Sequence, residues 1–227
     1  GTNSIDLKEG GGIRAEADVK ITGSGKLSVT AGGESFDGIS VAGNVRISDN
    51  ADVEIKADKG VGIASDESVE IDGAKLDSKA LNAGIDACGL RVTNNSDVVL
   101  QATGESCNAA FIRKVSGETG GNIIISGSKL KAKSLFPGLF STGYMTIDGG
   151  EVKAVSTEDS AIWAVGNLTV KGSAKLKLDG AYPSGCPDGS LFTVEAADID
   201  AKNSNTENIP ALFNNPEISR GYQLSLA

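Results

Sequence analysis

Aromatic and large apolar residues recur at about the spacing of an internal repeat. The alternation of apolar and polar residues along each strand places them on its outer face. The series is Ile112, Phe140 and Trp163, and Tyr182 follows in a nearby outgrowth. Sugar rings pack their C–H faces on aromatic side chains, while their hydroxyls need polar partners at the edge. These four residues are therefore the predicted ligand-binding strip. The alternative is that loops cover the strip and make it a small satellite core.

A second series carries positive charge. Lys131, Lys153 and Lys177 occupy the same outward position in three successive repeats. Stacked like charges repel one another unless anions or carboxylates offset them. One interpretation is an anion-binding strip suited to uronic acids or sulfated sugars. The other is a row of solvated lysines that protects the surface of a sheet.

The residues in both series are positioned by a repeat of roughly 23 residues that runs through most of the chain. Each copy contains three short runs of alternating apolar and polar residues, which is the pattern of strands with one buried face. One run serves as the anchor of the alignment. Clear anchors begin at these positions: Val45, Val69, Leu90, Ile123, Met145, Leu168 and Phe192.

Three strands in each period and no helical spacing predict a single-stranded parallel β-helix of about eight coils. We expect it to be right-handed, because parallel crossover connections strongly prefer that hand. The predicted organisation is a shortened first coil or cap at residues 1–18, the β-helix at 19–202 and a C-terminal cap at 203–227. Insertions at 113–121 and 182–189 should leave the helix and could wall the aromatic strip into a groove.

A further outward column tests this alignment, because its charge alternates in sign through eight repeats. The column is Lys26, Asp52, Lys75, Asp97, Lys129, Glu151, Lys175 and Asp198. Opposite charges attract at the spacing of neighbouring strands, about 4.8 Å. We interpret this column as structural, because it selects the register of the coils.

The amino-acid composition excludes or disfavours several classes of function. The chain has 227 residues, a net charge of −9 and no histidine. The acidic balance disfavours nucleic acid as a partner, and the lack of histidine excludes Ser-His-Asp catalysis, Cys-His catalysis and histidine-bound zinc. No apolar run is long enough to span a membrane, so we expect no membrane insertion. Three cysteines, an odd number without metal-type spacing, leave the pairing of two of them open.

The repeat unit at residues 62–76, GIASDESVEIDGAKL, and the turn at Asp148-Gly149-Gly150 carry a resemblance to a known family. Residues 36–200 resemble the parallel β-helix carbohydrate-binding domains of secreted Gram-positive bacterial proteins, whose shape is similar to that of pectate lyases. The resemblance implies an extracellular or cell-surface location and a polysaccharide or host glycan as partner. The residues themselves call for no cofactor, and the resemblance adds calcium at carboxylate-rich turns as the alternative. The residues at such turns are Asp49, Asp52, Asp72 and Asp148.

Three functions fit this sequence, and they differ in what the surface must provide. The first is a carbohydrate-binding or adhesin-like module without catalysis, which needs the aromatic strip. The second is a pectate-lyase-like enzyme that degrades polysaccharide, which needs converging acidic and basic groups. The third is a structural cell-surface stalk, which needs neither. We favour the first, and oligomeric state is not predicted.

Overall fold

The chain winds through three β-sheets in turn, and each passage stacks on the one before it in a computed structural model. The structure describes residues 1–114, 120–185, 190–195, 197–203, 206–209 and 222–226. The described residues contain no helix. All but one of the strand pairings are parallel, so the fold is an all-β solenoid of about eight turns, a parallel β-helix. Right-handed winding stays a prediction.

Each full turn of the solenoid contributes one strand to each sheet, and further strands lie at its ends. The strands are numbered in chain order. Sheet A consists of β1 (Thr2–Leu7), β4 (Lys26–Ala31), β7 (Asp52–Ala57), β10 (Lys75–Ala80), β13 (Asp97–Ala102), β16 (Lys129–Ser134), β19 (Glu151–Ser156), β22 (Lys175–Gly180), β25 (Asp198–Asn203) and β26 (Thr206–Ile209). Sheet B consists of β2 (Ile13–Ala15), β5 (Ile39–Val41), β8 (Val61–Ser65), β11 (Ala83–Ala87), β14 (Ala110–Ile112), β17 (Leu139–Ser141), β20 (Ser160–Ala164) and β23 (Tyr182–Gly185). Sheet C consists of β3 (Val19–Thr22), β6 (Val45–Ser48), β9 (Ser68–Asp72), β12 (Gly89–Thr93), β15 (Asn122–Ser126), β18 (Met145–Asp148), β21 (Leu168–Lys171), β24 (Ser190–Val194) and β27 (Tyr222–Leu226).

The core is one continuous apolar column enclosed by the three sheets. Along β7, Val53, Ile55 and Ala57 are buried, while Glu54 and Lys56 between them are exposed. The same alternation recurs in β10 and β16. Valine, isoleucine, leucine and alanine therefore fill the interior in stacked layers, and every second side chain is left available on the outside.

The turns from sheet C to sheet A depend on residues that accept a left-handed backbone. Asp49 and Asn50 have φ of 60° and 63°, and Asn94 and Asn95 have φ of 58° and 59°. Asparagine and aspartate adopt this region more readily than most residues. The backbone N–H of Asn50 donates to the carbonyl of Gly73 in the next turn at 2.9 Å. These turns thus stack in register, as the sequence predicts.

The two ends of the solenoid are partly continuous with its sheets. Strand β1 pairs with β4 and β2 pairs with β5, so residues 1–18 already supply two of the three strands of the first turn. At the other end, β26 pairs antiparallel with β25, whereas β27 pairs parallel with β24.

Two further observations concern features raised by composition. Among the residues that the structure describes, none forms a helix that could cross a membrane. Cys107 is a free thiol, and Cys186 lies outside the described residues.

Candidate functional site

The outward face of sheet B carries three aromatic side chains in consecutive turns. Asp86 is paired with Phe111, Phe111 with Phe140, and Phe140 with Trp163. All three rings are half-buried. We define Phe111, Phe140 and Trp163 as the aromatic strip. Neighbouring strands lie about 4.8 Å apart, so the strip follows the solenoid axis for about 10 Å.

Two rings of the strip, Phe111 and Phe140, contact each other directly. The centroids of Phe111 and Phe140 are 5.1 Å apart and their planes are inclined at 35°. Offset and tilted ring pairs of this kind attract each other through their quadrupoles. Mutual packing therefore accounts for part of the burial of Phe111 and Phe140 and holds the two rings as a common surface.

A charged pair lies at the Phe111 end of the strip. The guanidinium of Arg113 is bound to the Asp86 carboxylate, with Nε 3.1 Å from Oδ1 and Nη2 3.4 Å from Oδ2. Its central carbon lies 5.5 Å from the centroid of the Phe111 ring. Arg113 is thus oriented by Asp86 and by a cation–π contact. The strip consequently combines an apolar platform with hydrogen-bonding groups at one edge.

The prediction that Ile112 faces outward is wrong. Ile112 is fully buried and pairs with Ser141, whereas Phe111 occupies the outward position next to Phe140. The register in this turn is shifted by one residue from the predicted one, which exchanges the two faces of a strand. Phe111 therefore replaces Ile112 in the strip.

Tyr182 lies near the strip but not in its column. It begins β23 and pairs with Ser160, while Gly185 of the same strand pairs with Trp163. Tyr182 is exposed and stands three residues, about 10 Å, along the strand from the column of rings. The outgrowth predicted at residues 182–189 therefore begins as a strand.

The two insertions cannot be placed as walls of a groove. Strand β14 ends at Ile112 and β15 begins at Asn122, so the first insertion lies between them. Residues 115–119 and 186–189 lie outside the described residues.

The predicted column of lysines is confirmed in its register. Lys131 pairs with Lys153, and Lys153 pairs with Lys177, on the outward face of sheet A. All three side chains are exposed. This column lies on a different sheet from the aromatic strip, so the two features form separate surfaces.

The four carboxylates expected at calcium sites are not assembled into one site. Asp52 begins β7 in sheet A, whereas Asp49 lies in the turn after β6. Asp72 accepts a hydrogen bond from Arg46 at 2.7 Å. Asp148 lies three strands further along sheet C and pairs with Lys171 at 3.5 Å. Within the described residues, no three acidic, cysteine or histidine side chains are grouped so as to hold a metal ion.

Sequence reasoning missed a groove of about 640 Å³ on the outward face of sheet C. Its lining runs along the solenoid axis from Asp18 to Tyr144. Arg46 and Arg91 lie on either side of Glu70, at 2.8 Å and 3.9 Å from its carboxylate oxygens. Tyr144 is exposed at one end. We call this feature the sheet C groove.

A glycine explains part of the depth of the sheet C groove. Gly89 stands between Ser68 and Asn122 in a column where neighbouring turns carry side chains. A Cβ atom at Gly89 would lie 2.7 Å from the Ser68 hydroxyl. Other members of this column are bonded to each other across turns: the Asn44 N–H donates to Asp18 Oδ1 at 2.8 Å, and the Tyr144 N–H donates to Asn122 Oδ1 at 3.0 Å. The glycine in this column is the sequence signal that could have revealed the groove.

Two carboxyl groups have raised pKa values for local reasons. Burial raises the pKa of Asp77 on β10, and the neighbouring Glu54 carboxylate adds to the effect. Burial also raises the pKa of Asp37 in the turn before β5, although an N–H bond from Val61 opposes it. The two residues belong to different elements, so each shift reflects its own surroundings.

Comparison of the chain with protein-family models, with curated proteins and with solved structures gives no match.

Proposed function

We propose that this chain is an extracellular or cell-surface module of adhesin-like type that binds a polysaccharide without altering it. The observation that supports the proposal is the aromatic strip: Phe111, Phe140 and Trp163 follow one another in consecutive turns on an outward face. Folding places apolar side chains inside the solenoid, and it does not require three adjacent rings outside. An outward apolar patch of this kind is typical of a binding surface.

The chemistry of the strip suits a sugar polymer. Each ring offers an apolar face for the C–H side of a pyranose, and the spacing of turns, about 4.8 Å, is close to the length of one sugar ring. A glycan that runs along the solenoid axis therefore meets successive rings. Arg113 and Asp86 provide donors and acceptors for hydroxyl groups at the Phe111 end. A neutral or weakly charged polysaccharide has both the apolar ring faces and the hydroxyl groups that this surface can bind.

The test uses the full chain with Phe140 and Trp163 both replaced by alanine. Binding to cellulose, xylan, pectin and mucin is measured by affinity electrophoresis. We expect at least about a tenfold loss of affinity for the polysaccharide that the unaltered protein binds, because the platform is removed while its strands remain. Melting temperature should fall by only a few degrees, since both rings lie outside the core.

A matched control removes an exposed aromatic residue from another face. Tyr144→Ala alters the sheet C groove and leaves the strip intact, so its affinity should stay within about twofold of the original. A loss of affinity confined to Tyr144→Ala would place the polysaccharide in the sheet C groove and refute binding at the aromatic strip. Binding that survives the double substitution refutes it as well. Failure of the unaltered protein to retain any of the four polymers favours the structural stalk.

A further inference from the structure

The outward face of three adjacent strands of sheet A is unusually basic. Strands β16, β19 and β22 present nine outward side chains, which form a grid of about 10 by 13 Å. Six of them are lysines, and all six are exposed. We call this set the lysine face: Lys129, Lys131, Lys133, Lys153, Lys175 and Lys177. The other three outward positions hold Glu151, Val155 and Asp179.

The ammonium groups of the lysine face have no carboxylate partner within the part of the chain that the structure describes. None of the six lies within 4.0 Å of a carboxylate oxygen there. The N-terminal part of the same sheet differs, because Lys26 contacts Glu54 at 2.7 Å and Lys56 contacts Asp58 at 2.9 Å. Sheet A thus has close ion pairs at one end. At the other end the acidic side chains of neighbouring strands, such as Asp198 and Asp200 next to Lys175 and Lys177, form no ion pair within 4.0 Å in the described residues.

The central column of this face lacks the alternation of charge sign that the neighbouring column shows. In the neighbouring column Lys129 lies between Asp97 and Glu151, so every contact joins opposite charges. In the central column Lys131, Lys153 and Lys177 follow one another directly. Repulsion between them opposes folding. Their presence on a chain of net charge −9 therefore indicates a use other than stability.

The residue type indicates which anion suits this face. Arginine presents a planar fork that binds carboxylates and phosphates in a bidentate manner, whereas lysine acts as a compact point charge. The outward positions of β16, β19 and β22 contain lysine and no arginine. A compact ammonium group donates hydrogen bonds to a tetrahedral sulfate or phosphate from any direction. A terminal sulfate or phosphate ester offers three oxygens to these donors, whereas a carboxylate offers two.

The shape of the face indicates a polymer. Charges repeat about every 4.8 Å along the solenoid axis and about every 6.7 Å along each strand. Each contact is solvent-exposed and individually weak, so a useful affinity requires many contacts on one molecule. We propose that the lysine face binds a linear polysaccharide that carries sulfate or phosphate ester groups. The proposal rests on sheet A alone and does not depend on the aromatic strip.

The experiment measures binding of the full chain to dextran sulfate, dextran phosphate and unmodified dextran by biolayer interferometry. We expect binding to one or both charged polymers and none to dextran, and the charged polymer that binds more tightly identifies the ester. The affinity should fall steeply between about 50 mM and about 200 mM salt, because counterions are released on binding. The triple variant K131Q/K153Q/K177Q should lose at least about tenfold in affinity.

A charge-matched control separates the effect of the lysine face on binding from the effect of the protein's net charge. The variant K8Q/K75Q/K79Q removes the same three positive charges from exposed positions elsewhere, and its affinity should change by no more than about twofold. Equal losses in the two triple variants overturn the proposal. Equal affinity for polygalacturonate or for duplex DNA also overturns it, because the face would then not select tetrahedral esters on a polysaccharide.

Two further outcomes identify competing explanations. Self-association that is abolished by K131Q/K153Q/K177Q would assign the face to a second copy of the chain, whose Glu54 and Asp77 offer negative charge, and would overturn a polysaccharide ligand. The Phe140/Trp163 double alanine variant should bind dextran sulfate normally. Loss of that binding would show that the two surfaces act together and that the lysine face is not an independent site.

Discussion

Phe111 and Ile112 are consecutive in the chain but lie in opposite environments. Ile112 is fully buried in the core, and Phe111 contacts Phe140 on the outside. Replacement of Ile112 with alanine should lower the free energy of unfolding by about 2–5 kcal/mol, because it removes buried methyl groups and leaves a cavity. Urea denaturation measures this change. Polysaccharide binding by the folded variant should be unaltered.

Phe111→Ala is the matched substitution. It should impair polysaccharide binding more, and stability less, than Ile112→Ala. Its half-buried ring contributes less to folding, about 1–2 kcal/mol, but it belongs to the proposed platform. We expect reduced polysaccharide affinity with a modest loss of stability. If Phe111→Ala proved the more destabilising of the two, or if Ile112→Ala alone impaired binding, the register of β14 described above would be incorrect.

The residue scale also explains where prediction from sequence failed. In most turns a small residue precedes the first inward residue of sheet B, as in Gly84-Ile85 and Gly138-Leu139. At β14 the run Ala109-Ala110-Phe111-Ile112, which begins one residue before the strand, offers two ways to apply that rule, since each residue is apolar. The fold uses Ala109-Ala110, because both alanines and Ile112 fit the interior and the larger Phe111 ring is left outside. Alternation alone cannot choose when every residue in a run is apolar.

At the scale of elements, strand β16 joins two columns with opposite electrostatic character. Lys129 has acidic neighbours in both adjacent turns, whereas Lys131 has Val99 on one side and Lys153 on the other. Lys129→Glu should therefore lower stability, since it creates three stacked acids. Lys131→Glu should raise it, since it replaces a repulsive contact with an attractive one. Each effect should be about 0.5 kcal/mol.

The two substitutions are controls for each other, because they lie on the same strand and change the net charge of the protein by the same amount. Thermal melts at low salt measure the difference, and added salt should reduce it through screening. Equal shifts of the same sign would show that only net charge matters. The column would then have no influence on register.

The strands themselves were largely predictable, and the exceptions have physical causes. The anchor strands of sheet C and the alternating charges of sheet A all occupy the expected register. Each strand in these sheets is delimited by polar turns and has a clear inward face. Residues 182–189 were predicted to leave the helix, because their two prolines exclude a central strand. They begin instead as β23, which among the described residues lies at the end of sheet B, where proline is tolerated. The sheet C groove depends on packing between turns, which a repeat alignment does not contain.

For the whole molecule, each turn contacts only its neighbours, so a complete turn is a removable unit. Ser68 and Val69 are the register equivalents of Gly89 and Leu90. Deletion of residues 69–89 therefore joins Ser68 to Leu90 and should leave every remaining strand in its original inward and outward alternation. The shortened solenoid should fold.

Deletion of residues 69–90, one residue longer, provides the control. It joins Ser68 to Arg91, so Arg91 would take the inward position of Leu90 and Val92 would move outside. We expect the shorter deletion to keep the far-ultraviolet circular dichroism of parallel β-structure and a cooperative melt, at a lower temperature because Asp52 then stacks on Asp97. The longer deletion should aggregate or lose cooperativity, since a buried guanidinium without a partner is strongly unfavourable. If both variants melted alike, stability would depend on composition more than on register, and the stacked-column account of this solenoid would fail.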